Sequence, residues 1–528
     1  MPPRTRQRRA PDGPVVRVTS AEESAARDAA AIAAGIPSRA LMERAGAAAV
    51  TEIARAYPRL LREPVLVYAG AGNNGGDGWV VARALVAAGC RVHVVSVGEA
   101  RTEDARAERA LAEPLVSTER PAECPGLVID ALLGTGARGA PRGAVADAVA
   151  EILELRARGA TVVALDIPSG VDADTGAATG GVVRAHLTLT FGTAKRGLLV
   201  ARQWAGRIVV LDIGLSRSGD DDGAPTLVSA PWVRAVVPDI PAEAHKGTRR
   251  KLVVIGGRLG MTGATVLAAR AAMRSGIGMV RLVVAEESVP VVQAAEPHAL
   301  ARAWPGERER DVEETVGGWA DVVLLGPGLG DTPASRTLVE RVLGAWRGPV
   351  VLDADALNVF KGDTAALRDL LGGRAALLTP HPAELARLCG ATVEDVLAKR
   401  FDIGARVARD TGAAVLLKGV PTVIASPSGE RLVSASGTPA LAAAGSGDLL
   451  GGIAATLLAQ VGDPLAAGAC AAWAHGRAAE LAQRGGGPRG VVLADVERAI
   501  SDVWSERLAE PASCYPALAT LDAVDHGE

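Results

Sequence analysis

Apolar residues in this chain fall in short unbroken runs, each followed by a longer stretch rich in Ala and Leu. In the first half the runs are PVLVYAG, RVHVVSVG, GLVIDALLG, TVVALDIPSG, HLTLTFG and RIVVLDIG. Strands apolar on both faces and separated by helices predict a parallel sheet covered on both sides. The polar, acidic stretch SRSGDDDGAP breaks the pattern and reads as a solvated linker. The alternation then resumes with KLVVIGG, GMVRLVVA, ADVVLLGPG, PVVLDADAL, AALLTPHP and AAVLLKGV. The break puts a boundary between Ser218 and Asp239. It predicts two α/β domains, residues 15–217 and 240–505, with no fixed-period repeat that would make a solenoid.

Composition narrows the class. At 528 residues the chain exceeds the size of one domain. Apolar residues are 48% and aromatics only 3%, so the cores must be built from Val, Leu, Ile and Ala. A net charge of −3 argues against a generic nucleic-acid binder. The cysteines, Cys90, Cys124, Cys389, Cys470 and Cys514, stand singly with no zinc-type spacing, which suits a reducing, cytoplasmic setting. The N-terminus MPPRTRQRRAPDGP is basic and Pro-rich without an apolar segment. It reads as a frayed tail rather than a secretory signal. No apolar run is long enough for a membrane helix.

Polar groups gather at the ends of the first-half strands. In AGAGNNGGDG, Gly70, Gly72 and Gly75 fit G-x-G-x-x-G, and Glu99 ends the next strand, as in a dinucleotide-binding dehydrogenase. Asn73, Asn74 and Asp77 oppose that reading, because a carboxylate there repels phosphate. Amide oxygens and a carboxylate at a strand end suit a cation or a ligand with several hydroxyls. LVIDALLGTGARG ends a strand on Asp130 and opens a glycine loop from Gly134 to Gly139. DIPSGVDADTG supplies Asp166 and Ser169. Each Asp alone is as well explained as a turn cap; three successive strand ends point to one site.

The second half carries four features. LGPGLG, Leu325–Gly330, allows close backbone approach or makes a plain tight turn. LDADALN places Asp353 and Asp355 after a strand. LLTPHPAEL sets His381 and Glu384 where a strand meets a helix, and His381 alternatively caps that helix or packs in a core. In GTPALAAAGSGDLLGG, a small-residue run through Gly445, Ser446 and Gly447 reaches Asp448 and an apolar helix. Helix N-terminal amides free of side chains bind phosphate. Asp448 stands where a general base takes a hydroxyl proton during phosphoryl transfer, or where an N-cap stands. His475 reads as a packed helix residue.

These motifs resemble known families. GIPSRALMERAGAAA, AGAGNNGGDG, IDALLGTGARG and DIPSGVDADTG resemble the NAD(P)H-hydrate epimerases over about the first 215 residues. AHKGTRRKLVVIGG, TGATVLAARAAMRSGIGMV, LLGPGLG, LDADALN, LTPHPAEL, LLKGVPTVI and AAAGSGDLLGG resemble the NAD(P)H-hydrate dehydratases of the ribokinase-like fold over Ala244 to Gln483. The resemblance implies a Rossmann-like first domain in which Asn73, Asn74, Gly75, Gly76 and Asp77 hold the hydrated nucleotide. It implies that Asn74, Asp130 and Ser169 bind K+, and that Gly134, Thr135, Gly136, Ala137, Arg138, Gly139 and Ala140 cradle phosphate. Asp166 touches the hydrated ring and is the acid/base candidate.

For the second domain it implies that Gly328, His381 and Asp448 contact the hydrate. Lys418, Gly419, Val420, Pro421 and Thr422, with Thr438, Gly445, Ser446 and Gly447, hold ADP or, second, ATP. Asp448 is catalytic, and Glu384 orients Mg2+ through water. Small-molecule substrates and a homo-oligomer are implied. Arg258, Ala443 and Ala444 depart from the pattern and bear on the nucleotide details. Two rivals remain: a ribokinase-like kinase fused to a non-catalytic nucleotide-binding domain, and a scaffold first domain.

Overall fold

The computed structural model describes residues 15–215, 223–484, 487–509 and 515–524. The basic N-terminal stretch, the middle of the acidic linker and Cys514 lie outside these. The other four cysteines are free thiols. Two compact units divide the described residues: 15–227 with 515–524, and 228–509.

The first unit is built on a sheet ordered Val92–Ser96, Val65–Ala69, Leu127–Ala131, Thr161–Leu165, Leu187–Phe191, Arg207–Leu211 and Ala517–Leu521. The first six, all expected from the apolar runs, pair in parallel. Their side chains alternate between two cores. Val65, Val67 and Ala69 face one, and Leu66 and Tyr68 face the other. That two-sided burial is why the runs carry no polar alternation. The seventh strand was not anticipated. Ala517–Leu521 returns from the far end of the sequence and pairs antiparallel with Arg207–Leu211. Its run ALATL is short and lies beyond the last helix, so local pattern alone does not assign it to this sheet.

The second unit repeats the plan. Its sheet runs Leu300–Ala303, Met279–Val284, Lys251–Ile255, Val322–Leu325, Val350–Leu352, Ala376–Leu378, Ala414–Leu417, Thr422–Ala425 and Arg431–Ser434. The first seven are parallel, and two antiparallel hairpin strands close the series. Leu252 and Val254 enter one core, Val253 and Ile255 the other. Both sheets confirm the α/β class.

The polar stretch after Val65–Ala69 is already helical: the helix Asn73–Ala87 starts within it, with Gly72 as N-cap. Asn and Gly are poor helix formers, and tertiary packing overrides them. A Cβ on Gly75 would stand 1.8 Å from the Gly70 carbonyl oxygen, so only glycine lets this helix lie so close to the strand end. Among the described residues no helix is long and apolar enough to cross a membrane.

The returning strand gives a test. Asp212 N–H also donates to the Pro516 carbonyl at 2.8 Å. Truncation before Tyr515 is expected to speed amide exchange of Arg207–Leu211 at least about tenfold, read by hydrogen–deuterium exchange. Unchanged protection would show that the strand contributes nothing to this edge.

Candidate active sites

Strand order reverses at one point in each sheet. In the first unit Val65–Ala69 is followed in sequence by Val92–Ser96 on one side, and the chain then crosses to Leu127–Ala131 on the other. In the second, Lys251–Ile255 lies between Met279–Val284 and Val322–Leu325 in the same way. Such switch points leave a crevice at the carboxyl ends of the strands, where open α/β sheets bind ligands. Both sets of expected residues lie at these ends.

At the first, Asp130 is fully buried near the end of its strand. Its carboxylate accepts from Ser169 Oγ at 2.6 Å, Ser169 N at 2.8 Å and Leu132 N at 3.1 Å. Ser169 Oγ in turn accepts from Leu133 N at 3.0 Å, and Asn74 Nδ2 donates to the Leu133 carbonyl at 2.9 Å. Burial pushes Asp130 up to about 6, against the hydrogen bonds from Ser169 and Leu132. Asn74 Oδ1 is buried with no hydrogen-bond partner. An orphaned amide oxygen near a buried carboxylate and a hydroxyl is a donor set that suits an alkali cation.

Gly134 joins this group to Asp166: a Cβ there would lie 3.2 Å from Asn74 Cβ and 4.0 Å from Asp166 Oδ2. Asp166 follows its strand in a left-handed conformation, φ 63°, rare for a non-glycine residue and of order 1–3 kcal/mol in cost. Two neighbours were missed in the sequence. Lys195, buried, places Nζ 2.6 Å from Asp166 Oδ1 and donates to the Phe191 carbonyl at 2.9 Å. Asp28, on the helix Ala21–Ala33, faces the same lysine and Asp166. Asp77 completes the set. Burial, then Asp166 and Asp28, hold its carboxyl well above the usual range while Lys195 opposes them. The signal for Lys195 was a lone lysine just after the apolar run HLTLTFG; for Asp28 none existed beyond its place on a polar helix.

The remaining expected residues of this unit stand further off. Arg138 Nη1 donates to the carbonyls of Thr135 and Ala137, and Nη2 to Asp174 Oδ2 at 2.7 Å. No bond recorded for the stretch Thr135 to Ala140 ties it to Asp166.

The second site centres on Lys418, at the end of Ala414–Leu417. Its Nζ lies 2.8 Å from Asp353 Oδ1 and 3.9 Å from Glu384 Oε2. Burial opposes its charge, but Asp353 and Glu384 outweigh burial and its pKa rises. The helix Ser446–Val461 begins here with Gly445 as N-cap at φ 91° and no side-chain cap. Asp448 is therefore inside the first turn, not the cap. The bare N-terminus faces Lys418, for a Cβ on Gly447 would lie 3.3 Å from Nζ. Burial and Asp353 push Asp448 up to about 7, with Lys418 opposing and Asp355 adding.

His381 is a helix cap, the alternative left open by its sequence position. Its Nδ1 accepts from Ala383 N at 3.1 Å and Glu384 N at 3.3 Å, while its own N–H donates to Glu384 Oε2 at 2.7 Å. Its Nε2, on a half-exposed ring, lies 3.5 Å from Glu384 Oε1. Gly328 belongs to a loop tied to the Arg258 amide at 2.8 Å, and Gly330 N–H donates to Asp355 Oδ2 at 2.7 Å. Thr438 caps a separate short turn, accepting from Ala440 N at 3.3 Å. Thr422 closes its own loop by donating to the Gly419 carbonyl at 3.0 Å. His475 is buried and pushed down to about 4, by burial and then Lys418, with Nε2 3.3 Å from Ser446 Oγ. Among the described residues no three His, Cys, Asp or Glu side chains could hold a metal ion by themselves.

Comparison with known proteins agrees with both halves. Residues 252–502 match a family model described as NAD(P)H-hydrate dehydratase, and residues 38–197 match one described as YjeF-related protein N-terminus. The bifunctional NAD(P)H-hydrate repair enzyme of Moorella thermoacetica is 37% identical, covering 87% of this chain and 91% of its own. That of Escherichia coli is 34% identical, covering 86% and 87%. An ADP/ATP-dependent NAD(P)H-hydrate dehydratase from Bacillus subtilis, co-crystallised with ATP/Mg2+, is 31% identical with a TM-score of 0.48, covering 53% of this chain and 97% of its own.

The electrostatics of the second site are testable directly. Carboxyl NMR should show Asp448 ionising near 7 in the free protein. Lys418→Met should move it upward, because the lysine is the cation that opposes protonation there. A midpoint in the ordinary Asp range, near 4, would overturn this account of the site.

Proposed function

This chain belongs to the bifunctional NAD(P)H-hydrate repair enzymes, and from that premise we propose which residues, ions and nucleotide carry its two steps. The protein is an NAD(P)H-hydrate epimerase joined to an ADP/ATP-dependent NAD(P)H-hydrate dehydratase. The single observation that supports the residue assignment is the meeting of Asp448, Lys418 and an uncapped helix N-terminus in one place.

Dehydration must expel a ring hydroxyl. Hydroxide is a poor leaving group, since water has a pKa of about 15.7. Phosphate, with a second pKa of about 6, leaves readily. Asp448 takes the hydroxyl proton as the ring oxygen attacks the terminal phosphorus and displaces the shortened nucleotide; the ring oxygen then departs with phosphate as the adjacent ring carbon gives up a proton, which restores the double bond. The Gly445–Ser446–Gly447 amides and Lys418 bear the developing negative charge. His381 Nε2 and the Gly328 loop contact the hydrate, while Gly419, Val420, Pro421, Thr422 and Thr438 line the nucleotide's path. ADP is the proposed nucleotide, on the family resemblance.

Mg2+ suits the charge balance of this site, where Asp353, Glu384 and Asp448 face one lysine and Asp355 faces Asp448. Glu384 would hold it through water, which Mg2+ retains readily. Its chemistry would be to neutralise the phosphates. In the first unit Asn74, Asp130 and Ser169 would hold K+, on the orphaned Asn74 Oδ1 and the buried Asp130. Asp166 works as acid/base on the ring that Asn73, Gly75, Gly76 and Asp77 hold, and Gly134 to Ala140 take the phosphates. The domain limits 15–217 and 240–505 remain proposals for the minimal active segments. The assembly the resemblance implies is a homo-oligomer acting on small molecules.

Absorbance of reduced nicotinamide tests this on mixed R and S hydrate. Wild-type protein with ADP and Mg2+ is expected to restore all of it, Asp166→Asn only the S share. Asp448→Asn should lose about 100-fold or more in rate while still binding ADP; retained turnover would remove Asp448 from the chemistry. A base with its pKa near 7 must be unprotonated to act, so the dehydration rate should rise with pH through about 7. Exchanging K+ for tetramethylammonium should slow R-to-S conversion and leave S dehydration unchanged; equal rates in both salts would exclude K+ from the first site.

A further inference from the structure

We propose that Lys195 is a positioning residue of the epimerase site, holding Asp166 in place as a carboxylate among two other acids. The inference rests on the reading of Asp166 as the acid/base group. Three acids converge on the lysine from three elements: Asp28 from the helix Ala21–Ala33, Asp77 from the helix Asn73–Ala87, and Asp166 from the end of Thr161–Leu165. The strand Leu187–Phe191 supplies neutral partners. Phe191 accepts from Lys195 Nζ at 2.9 Å, and Thr190 Oγ1 donates to Asp166 Oδ1 at 3.2 Å.

Lys195 is 2% exposed and its one direct ionic contact goes to Asp166, not to Asp77 or Asp28. That asymmetry sorts the acids. The lysine nitrogen lies 2.6 Å from Asp166 Oδ1, while the two carboxyls without such contact are raised by burial and by their neighbours. A carboxylate held by a cation, beside acids whose pKa burial raises, suits an inversion, since one group removes a proton and another supplies one. Asp166 takes the ring-hydroxyl proton as the bond from that carbon to the ring nitrogen opens to a carbonyl, a neighbouring acid protonates the nitrogen, and reclosure on the other face re-forms the bond and returns both protons. Lys195 also ties Asp166 down in its left-handed conformation, which would relax without an anchor.

The full-length chain tests this, with R/S interconversion of the hydrate followed by chromatography without nucleotide. Lys195→Met is expected to slow interconversion about 100-fold at pH 7. It should also move the acid limb of the rate profile upward by about one pH unit, since no cation then opposes protonation of the acids. Asp28→Asn added to Lys195→Met should recover part of the rate by removing one of the competing acids, and Lys195→Arg should keep the wild-type limb. Dehydration of S hydrate with ADP should be unchanged in every variant. A wild-type rate in Lys195→Met would overturn the proposal. So would a loss with an unshifted profile and no recovery in the double variant, which is what a packing role gives. A wild-type chain that leaves the R share untouched would instead overturn the epimerase reading on which the proposal stands.

Discussion

Each half of this protein sets several carboxylates against one lysine at the carboxyl edge of a parallel sheet. Lys195 faces Asp28, Asp77 and Asp166, and Lys418 faces Asp353, Glu384 and Asp448. Burying charge is costly unless it is paired, and one cation cannot pair three acids. The surplus has two outlets. Some acids hold their protons to higher pH, as the raised Asp77 and Asp448 do, or cations and hydroxyl-bearing ligands enter to share the charge. Both outlets are useful to a catalyst, and both follow from leaving the charge unbalanced.

The two lysines do different work because their surroundings differ. Lys418 lies beside an uncapped helix N-terminus, so two sources of positive potential point at one place and an anion is attracted there. Lys195 has a backbone carbonyl and Asp166 as its partners, which uses its charge locally. The orphaned polar atom near Asp130 and Ser169 is instead an acceptor, Asn74 Oδ1. One site is thus suited to anions and the other to a cation, although both stand on the same kind of sheet.

Much of this was legible in the residues. Unbroken apolar runs marked twelve strands, because strands covered on both faces cannot alternate. Glycine- and aspartate-bearing strand ends marked both sites, because side chains that face a crevice need not be apolar. What escaped had no local signature. Ala517–Leu521 pairs with a strand some three hundred positions earlier, a contact no window contains. Asp28 sits on a helix whose polar face looks solvated until the fold brings Lys195 beneath it. Asn73 to Asp77 have weak helix propensity, and the helix forms because its glycines permit contact with the Gly70 backbone. His381 was left open between ligand and cap. The structure makes it a cap, and capping fixes Nδ1 as the acceptor of the helix amides.

Joining two sites of opposite preference in one chain has a chemical reason. Expelling the ring hydroxyl as phosphate needs an anion seat and a base active near neutrality. Inverting the carbon that bears it needs a charged base with a protonated acid close by. A phosphate-seating field would draw counter-charge away from the acids that inversion depends on, since opposite charge favours ionisation of a carboxyl. A single pocket tuned for one step is therefore detuned for the other. Two sheets, each with its own lysine and its own count of acids, let both fields exist in one molecule.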